Sequence, residues 1–344
     1  ALEDEGLLAD WQVTAGEGNI LYDHSGNGNH GSIDGATYVA EIPILGCTDP
    51  YADNYNPDAN SDDGSCSGYF ENGDFSLEFD GINDYIKMDS PYLDNLFQGY
   101  NPFTISTWLK RSSEQSVSDY LNIFSKGTTP NSEYENPRGV MILTHITGDI
   151  TFILYSGPYD FIYVSASDFV TTDSWDQITA TYDGGSSPES LKLYKNGSLH
   201  DNVSYGSNGD YSGIVATDGQ PTVLGARLMD NGNTHLPFIG NINDLSIWSE
   251  SLTEDQIQNI HANDYEIEST LVGKWDFSEG EGQLLFDRTG NTNHLEIIGP
   301  LWSEDVYVPP APPIIGGNNS LFFDGDDYIN FSDDPMISGV HNNF

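Results

Sequence analysis

Between residues 75 and 248, short apolar-rich runs are separated by Gly, Asp, Asn, Ser and Pro. Such runs, bounded by turn residues, read as β segments. The pattern predicts strands at residues 103–109, 139–143, 150–155, 161–164, 177–182, 191–194 and 239–248. Lys195-Asn196-Gly197-Ser198 reads as a hairpin, since Asn-Gly supplies left-handed backbone at both central positions. Many short strands at this spacing predict an all-β fold, a β-sandwich or jelly roll. One stretch changes period. Residues 254–262 read as a helix with Thr253 as N-cap, Gln256 as its capping-box partner, and Ile257, Ile260 and His261 as the buried stripe.

A repeat organises the chain. Residues 11–30 align without gaps on 275–294, an offset of 264. Identities include Trp11/Trp275, Glu17-Gly18/Glu281-Gly282, Asp23/Asp287, Gly26-Asn27/Gly290-Asn291 and Asn29-His30/Asn293-His294. Residues 76–81 align on 320–325 at an offset of 244. The difference, 264 − 244 = 20, equals the length of the segment 47–66, which therefore reads as an insert in the first copy. The expected organisation is one complete copy at 6–266 and a partial second copy at 268–344. With a gap of three residues after 325, residues 343–344 fall opposite 102–103, so the repeat is expected to continue beyond Phe344.

The insert carries the only two cysteines, Cys47 and Cys66. It has no hydrophobic run to form a core. A disulfide closing a loop of about 20 residues would contribute roughly 3 kcal/mol in the chain-entropy model. Two cysteines alone cannot build a structural zinc site. The alternative is two unrelated thiols; a disulfide implies an oxidising, secreted or surface location.

Several stretches together resemble the laminin-G-like (LamG, pentraxin-like) domains of the concanavalin A-like lectin/glucanase superfamily. They are Trp11 with residues 23–31, then 77–86, 103–110, 175–184, 191–197, and 240–248 leading into 252–257. The resemblance implies a jelly-roll β-sandwich of two curved antiparallel sheets, here with a small disulfide-closed Asp-rich insert and the start of a second copy. It also implies a calcium site at the sandwich rim, with Asp80 or Asp84 meeting Asp244; turn roles for these residues are the other reading. The insert separately resembles thrombospondin type 3 calcium repeats. Asp58, Asn60 and Asp62 place oxygens at alternate positions, as a calcium loop does, but Asp63 stands where Gly is usual. Asp49, Asp53 and Asn56 either complete a Ca2+ ligand set or cap turns. The Asp23 to Asn29 stretch reads as a turn, and His24 becomes Arg288 in the second copy, which disfavours a metal role there.

Charge narrows the function. The chain has 54 Asp or Glu against 10 Lys or Arg, a net charge of −44. Ten cations cannot line a nucleic-acid groove or hold an anionic membrane. An aromatic share of 12% argues against an acidic disordered chain. No apolar run is long enough to insert in a membrane as a helix. Enzymes of the resembled superfamily carry carboxylates alternating along one strand; residues 243–246 offer Asp244 alone. Tyr155, Tyr159 and Tyr163, with Phe161, cluster on one hairpin, where they either stack on sugar rings or pack in the sandwich. The expected protein is non-catalytic, secreted or displayed on the cell surface, and serves adhesion or extracellular filament building with calcium as stabiliser. Its expected partners are glycans, surface proteins or neighbouring copies of itself. The alternatives are a carbohydrate-binding module of a larger polysaccharide-degrading enzyme, and a subunit of an extracellular fibre or phage appendage.

Overall fold

The computed structural model describes residues 7–309 apart from 12, 14–16, 38–42, 115, 117, 128–138, 218 and 263–268. The second repeat match expected at residues 320–325 lies outside the described residues. The elements run in chain order as β1 (Ile20–Leu21), β2 (Gly31–Ser32), β3 (Ser76–Asp80), β4 (Tyr85–Met88), α1 (Pro91–Leu96), β5 (Phe103–Arg111), β6 (Tyr120–Lys126) and β7 (Gly139–His145). Next come β8 (Ile150–Tyr155), β9 (Phe161–Ala166), β10 (Trp175–Tyr182), β11 (Leu191–Lys195), β12 (Ser198–Leu199), β13 (Val203–Asn208) and β14 (Thr222–Leu224). The last are β15 (Arg227–Leu228), β16 (Thr234–His235), β17 (Ile239–Trp248), α2 (Glu254–His261), β18 (Leu271–Trp275), β19 (Leu284–Leu285), β20 (Leu295–Ile298) and β21 (Leu301–Ser303).

Two antiparallel sheets face each other. One runs β12-β11-β10-β5-β17-β3-β21, with β18 also on β17; the other runs β13-β9-β8-β7-β6-β14-β4-β20-β19. Leu77, Phe79, Ile105, Leu109, Ile142, Phe152, Ile162 and Ile247 point between them and are buried in one apolar core. This is the expected jelly-roll sandwich. Burial of such side chains contributes about 25 cal/mol per Å² removed from water. Asn196 and Gly197 take φ of 50° and 78°, the left-handed pair that the β11–β12 hairpin needs. Helix α2 has the expected capping box: the Thr253 amide donates to Gln256 Oε1 at 2.8 Å and the Gln256 amide to Thr253 Oγ1 at 3.4 Å. Its Ile257 and Ile260 pack with Tyr194, Trp248 and Leu252 on the outer side of the eight-stranded sheet. His261 is only half-buried, stacked on Trp108 at 5.4 Å.

Strands β18–β21 differ from the expected organisation. Leu245 pairs with Trp275, Ile86 with Ile297, and Leu77 with Trp302. Val272, Trp275, Phe277, Leu285, Leu295 and Ile297 all belong to the main core. The sheets therefore cross the boundary expected between residues 266 and 268, and the compact unit extends to Tyr307. The physical reason is an open position. β3 covers only residues 239–242 of β17, and β18 pairs with the remainder, residues 245–248.

Candidate functional site

The Asp-rich insert is closed by a Cys47–Cys66 disulfide with Cα atoms 4.7 Å apart. Most of its predicted ligand residues accept backbone N–H groups. Asp49 accepts from Tyr51, Asn56 from Asp58, Asn60 from Ile44, Asp62 from Gly64 and Thr48, and Asp63 from Ser65. Asp53 packs its side chain against Gly68 (φ 75°), where a Cβ would lie 2.8 Å from the Asp53 Cβ. Asp58 is exposed, and its amide donates to Asn56 Oδ1 at 3.1 Å. Among the described residues, the only three Cys, His or acidic groups whose ligand atoms converge within 4.8 Å are Cys47, Asp62 and Cys66. Both sulfurs there are bonded to each other, so this arrangement does not fit a calcium ion.

The rim residues separate. Asp84 accepts the Asp80 amide at 2.9 Å, and Asp80 accepts from Ile82 at 2.8 Å, so these two hold one turn. Burial, with the neighbouring Asp80 charge, pushes the Asp84 carboxyl up. Asp244 does not join them. Asp80 pairs with Ile239, five positions away along β17, a span of roughly 16 Å at the rise of a strand. Asp244 sits instead on a β-bulge at φ 50°, where burial, opposed by Lys274 and aided by Asp276 and Asp74, pushes its carboxyl up to about 7.

The outer face of the nine-stranded sheet is a different kind of surface. Register places one row of side chains across it: Tyr163, Ile153, Met141, Ser125, Val223, Lys87 and Glu296. Tyr155, Phe161 and Tyr163 therefore face outward, while Ile162 and Val164 take the core positions. They do not pack between the sheets, which was the alternative reading. Tyr155 and Phe161 lie 5.4 Å apart and Phe161 and Tyr163 6.2 Å apart. The Tyr163 ring packs against Gly206, where a Cβ would lie 2.4 Å from its Cε1, Cζ and hydroxyl oxygen. Tyr159, in the β8–β9 turn, is 67% exposed, whereas Tyr155 is buried.

Arg227 covers the middle of the face. It is fully buried, and its Nη1 donates to Met141 Sδ at 2.8 Å. Burial pulls the guanidinium down to about 10 and pushes the Tyr155 hydroxyl up to about 12, each tempered by the other. Beyond Arg227 lies a cleft of about 880 Å³, with Tyr85 and Lys87 from β4 and Met229 and Asp230 from the β15–β16 turn in its lining. Ser90, Asp94 and Gln220 also line it. That volume suits a small-molecule or sugar site. Two of its carboxylates are engaged: Lys87 pairs with Asp89 at 2.6 Å, and Lys126 reaches Asp94 and the Gln220 carbonyl. Burial opposes ionisation of Asp94, but the Lys126 hydrogen bond and the Gly219 amide hold its carboxyl below the usual range. Lys87, Asp94 and Arg227 were not among the expected site residues. Rarity could have singled out Lys87 and Arg227 among ten cations, whereas nothing in the sequence marks Asp94 among 54 acidic residues.

A family model, Laminin_G_3 of the concanavalin A-like lectin/glucanases superfamily, matches residues 80–258. No curated protein matches the chain. Among solved structures, a presumed carbohydrate-binding protein from Bacteroides ovatus is similar at 16% identity and TM-score 0.43, covering 69% of this chain and 61% of its own. A SAP-like pentraxin from Limulus polyphemus is similar at 17% and TM-score 0.38, covering 55% and 82%. The Ruminococcus gnavus IT-sialidase CBM40 bound to α2,3-sialyllactose is similar at 17% and TM-score 0.42, covering 54% and 96%. Likeness at this level carries no functional argument.

Proposed function

The chain belongs to the concanavalin A-like lectin/glucanases superfamily, and we propose that it is a non-catalytic extracellular protein that adheres by binding glycans on the outer face of its nine-stranded sheet. The observation carrying this reading is the two accessible ends of the row from Tyr163 to Lys87; its middle, Ile153, Met141, Ser125 and Val223, is buried. One end offers aromatic rings, whose faces stack on the apolar faces of sugars. The other end opens into a cleft with hydroxyl, amide and charged groups for sugar hydroxyls. Non-catalytic action is favoured because Lys126 draws the Asp94 carboxyl below its usual range against burial, the opposite direction from the raised general acid of glycoside hydrolysis. The disulfide favours an oxidising location, and no described helix is long and apolar enough to cross a membrane. A carbohydrate-binding module of a larger enzyme would use the same face.

A glycan array probed with the intact chain tests the reading. For the best hit, Tyr163→Ala and Lys87→Ala should each weaken binding at least tenfold, and Trp11→Ala should leave it unchanged. No hit, or equal affinity for all variants, contradicts it. Repeating the titration and the thermal melt with a chelator tests calcium as stabiliser; unchanged binding and an unchanged midpoint remove calcium from the account.

A further inference from the structure

Phe103, Ile105 and Leu109 of β5 all belong to the core between the sheets. Side chains alternate along a strand, so Arg111, the last residue of β5, continues that inward row. The apolar row therefore ends in a charge, and Arg111 is only 5% exposed. Its Nη2 donates to Thr172 Oγ1, and its Nε has no hydrogen-bond partner. Among the described residues, no ion pair includes it. Burial pulls the guanidinium down, and the Asp173 charge opposes this from a distance. Asp173 is itself engaged, accepting the Ser113 amide at 2.8 Å. The buried Lys126, by contrast, meets Asp94 directly. A buried charge without a partner is strongly destabilising, so a fold that keeps one calls for a use.

Arg111 lines a cavity of about 320 Å³, whose apolar part is made by the buried Leu121 and Ile239. Ser112, Ser116 and Ser118 line it as well. Their hydroxyl oxygens accept the amides of Glu114, Ser118 and Tyr120. A hydroxyl that accepts a bond still has its own O–H to donate. The cavity thus gathers a guanidinium and three O–H donors. A planar guanidinium matches a carboxylate, whose remaining lone pairs suit the O–H groups. Glu114 and Asp119 also line the cavity and are exposed. They repel a bare anion but accept hydroxyl groups. The best-matched ligand therefore carries a carboxylate and hydroxyls together, and the volume is at the small end of ligand sites.

We propose that this cavity is a binding site for a small ligand bearing both a carboxylate and hydroxyl groups, of which a uronic acid is the simplest, and that Arg111 holds the carboxylate. The site is separate from the outer face of the nine-stranded sheet, and the inference does not rest on glycan binding there.

The intact chain is titrated with D-glucuronate, D-glucose and acetate at one ionic strength, and amide shifts are followed by NMR. D-glucuronate should give saturable shifts at residues 112, 113, 121 and 239, and not at residues 85–90 or 228–230. D-glucose should give none, and acetate should bind about tenfold more weakly or worse. Arg111→Gln should weaken D-glucuronate about tenfold or more. Without ligand, this variant should melt at or above the parent midpoint, because it removes a buried charge that has no ion pair. D-glucuronate should raise the midpoint of the parent and not of the variant. Should Arg111→Gln not fold, Arg111→Lys, which keeps the charge but loses the planar fork, should show the same weakening. No saturable shift, shifts confined to residues 85–90 and 228–230, or full affinity in an Arg111 variant overturns the proposal. Equal affinity for acetate overturns the requirement for hydroxyls.

Discussion

Trp11 and Trp275 each donate to the carbonyl of an Asn eighteen residues further on, yet one indole is half in solvent and the other is fully buried. The shared network of an Asp, a His and a two-residue strand pair is local, so each segment closes its own hairpin. Each such hydrogen bond contributes only about 1 kcal/mol net. What separates the two segments is apolar burial, and burial is supplied by the sheets, not by the hairpin. A motif can therefore be formed in both places and hold the fold together in only one.

The largest expected effect comes from removing the two indoles in turn. Trp275→Ala should cost about 3–5 kcal/mol of unfolding free energy, as for other fully buried large side chains. Trp11→Ala should stay within about 0.5 kcal/mol. Urea titrations of both variants check this, and equal losses would break the comparison.

Electrostatics sharpens it with a smaller effect. Glu279 is buried in the seated segment, and Ala15 holds the matching position in the other. Burial pushes the Glu279 carboxyl up from 4.5 to about 7, against hydrogen bonds from the Phe286 amide and its own. Its folded form thus holds a proton more tightly than the unfolded chain. The stabilisation is complete below the unfolded value and is lost as pH rises through about 7. Glu279→Gln should match the parent near pH 4 and be more stable at pH 8, by at most about 3 kcal/mol for a shift of this size. Denaturation at the two pH values measures it; a gain that is the same at both would assign the effect to packing.

Much of the fold was readable wherever a local rule acts. Short apolar-rich runs bounded by turn residues located β5, β7 to β11 and β17, Asn196-Gly197 located the hairpin, and Thr253 with Gln256 located α2. The short, exposed edge strand β13 has no apolar-rich run to read. The seating of β18–β21 was hidden because chain order says nothing about which sandwich a duplicated segment completes. At the candidate site, β7 to β9 are apolar on both faces, so parity alone cannot say that Tyr163 points outward and Ile162 inward. Asp80 and Asp244 were expected together from family resemblance, and only the β3–β17 register reveals their separation. The cleft joins β4 to the β15–β16 turn, residues about 140 apart in sequence, which no local pattern connects.

The central claim is that residues 271–303 complete the sandwich while their duplicate does not. Amide hydrogen exchange on the full chain tests it most directly. The account predicts that residues 271–275 and 295–298 exchange only through global unfolding, and that residues 17–33 exchange through cheap local opening. Equal protection of the two segments, or slower exchange in residues 17–33, would contradict it.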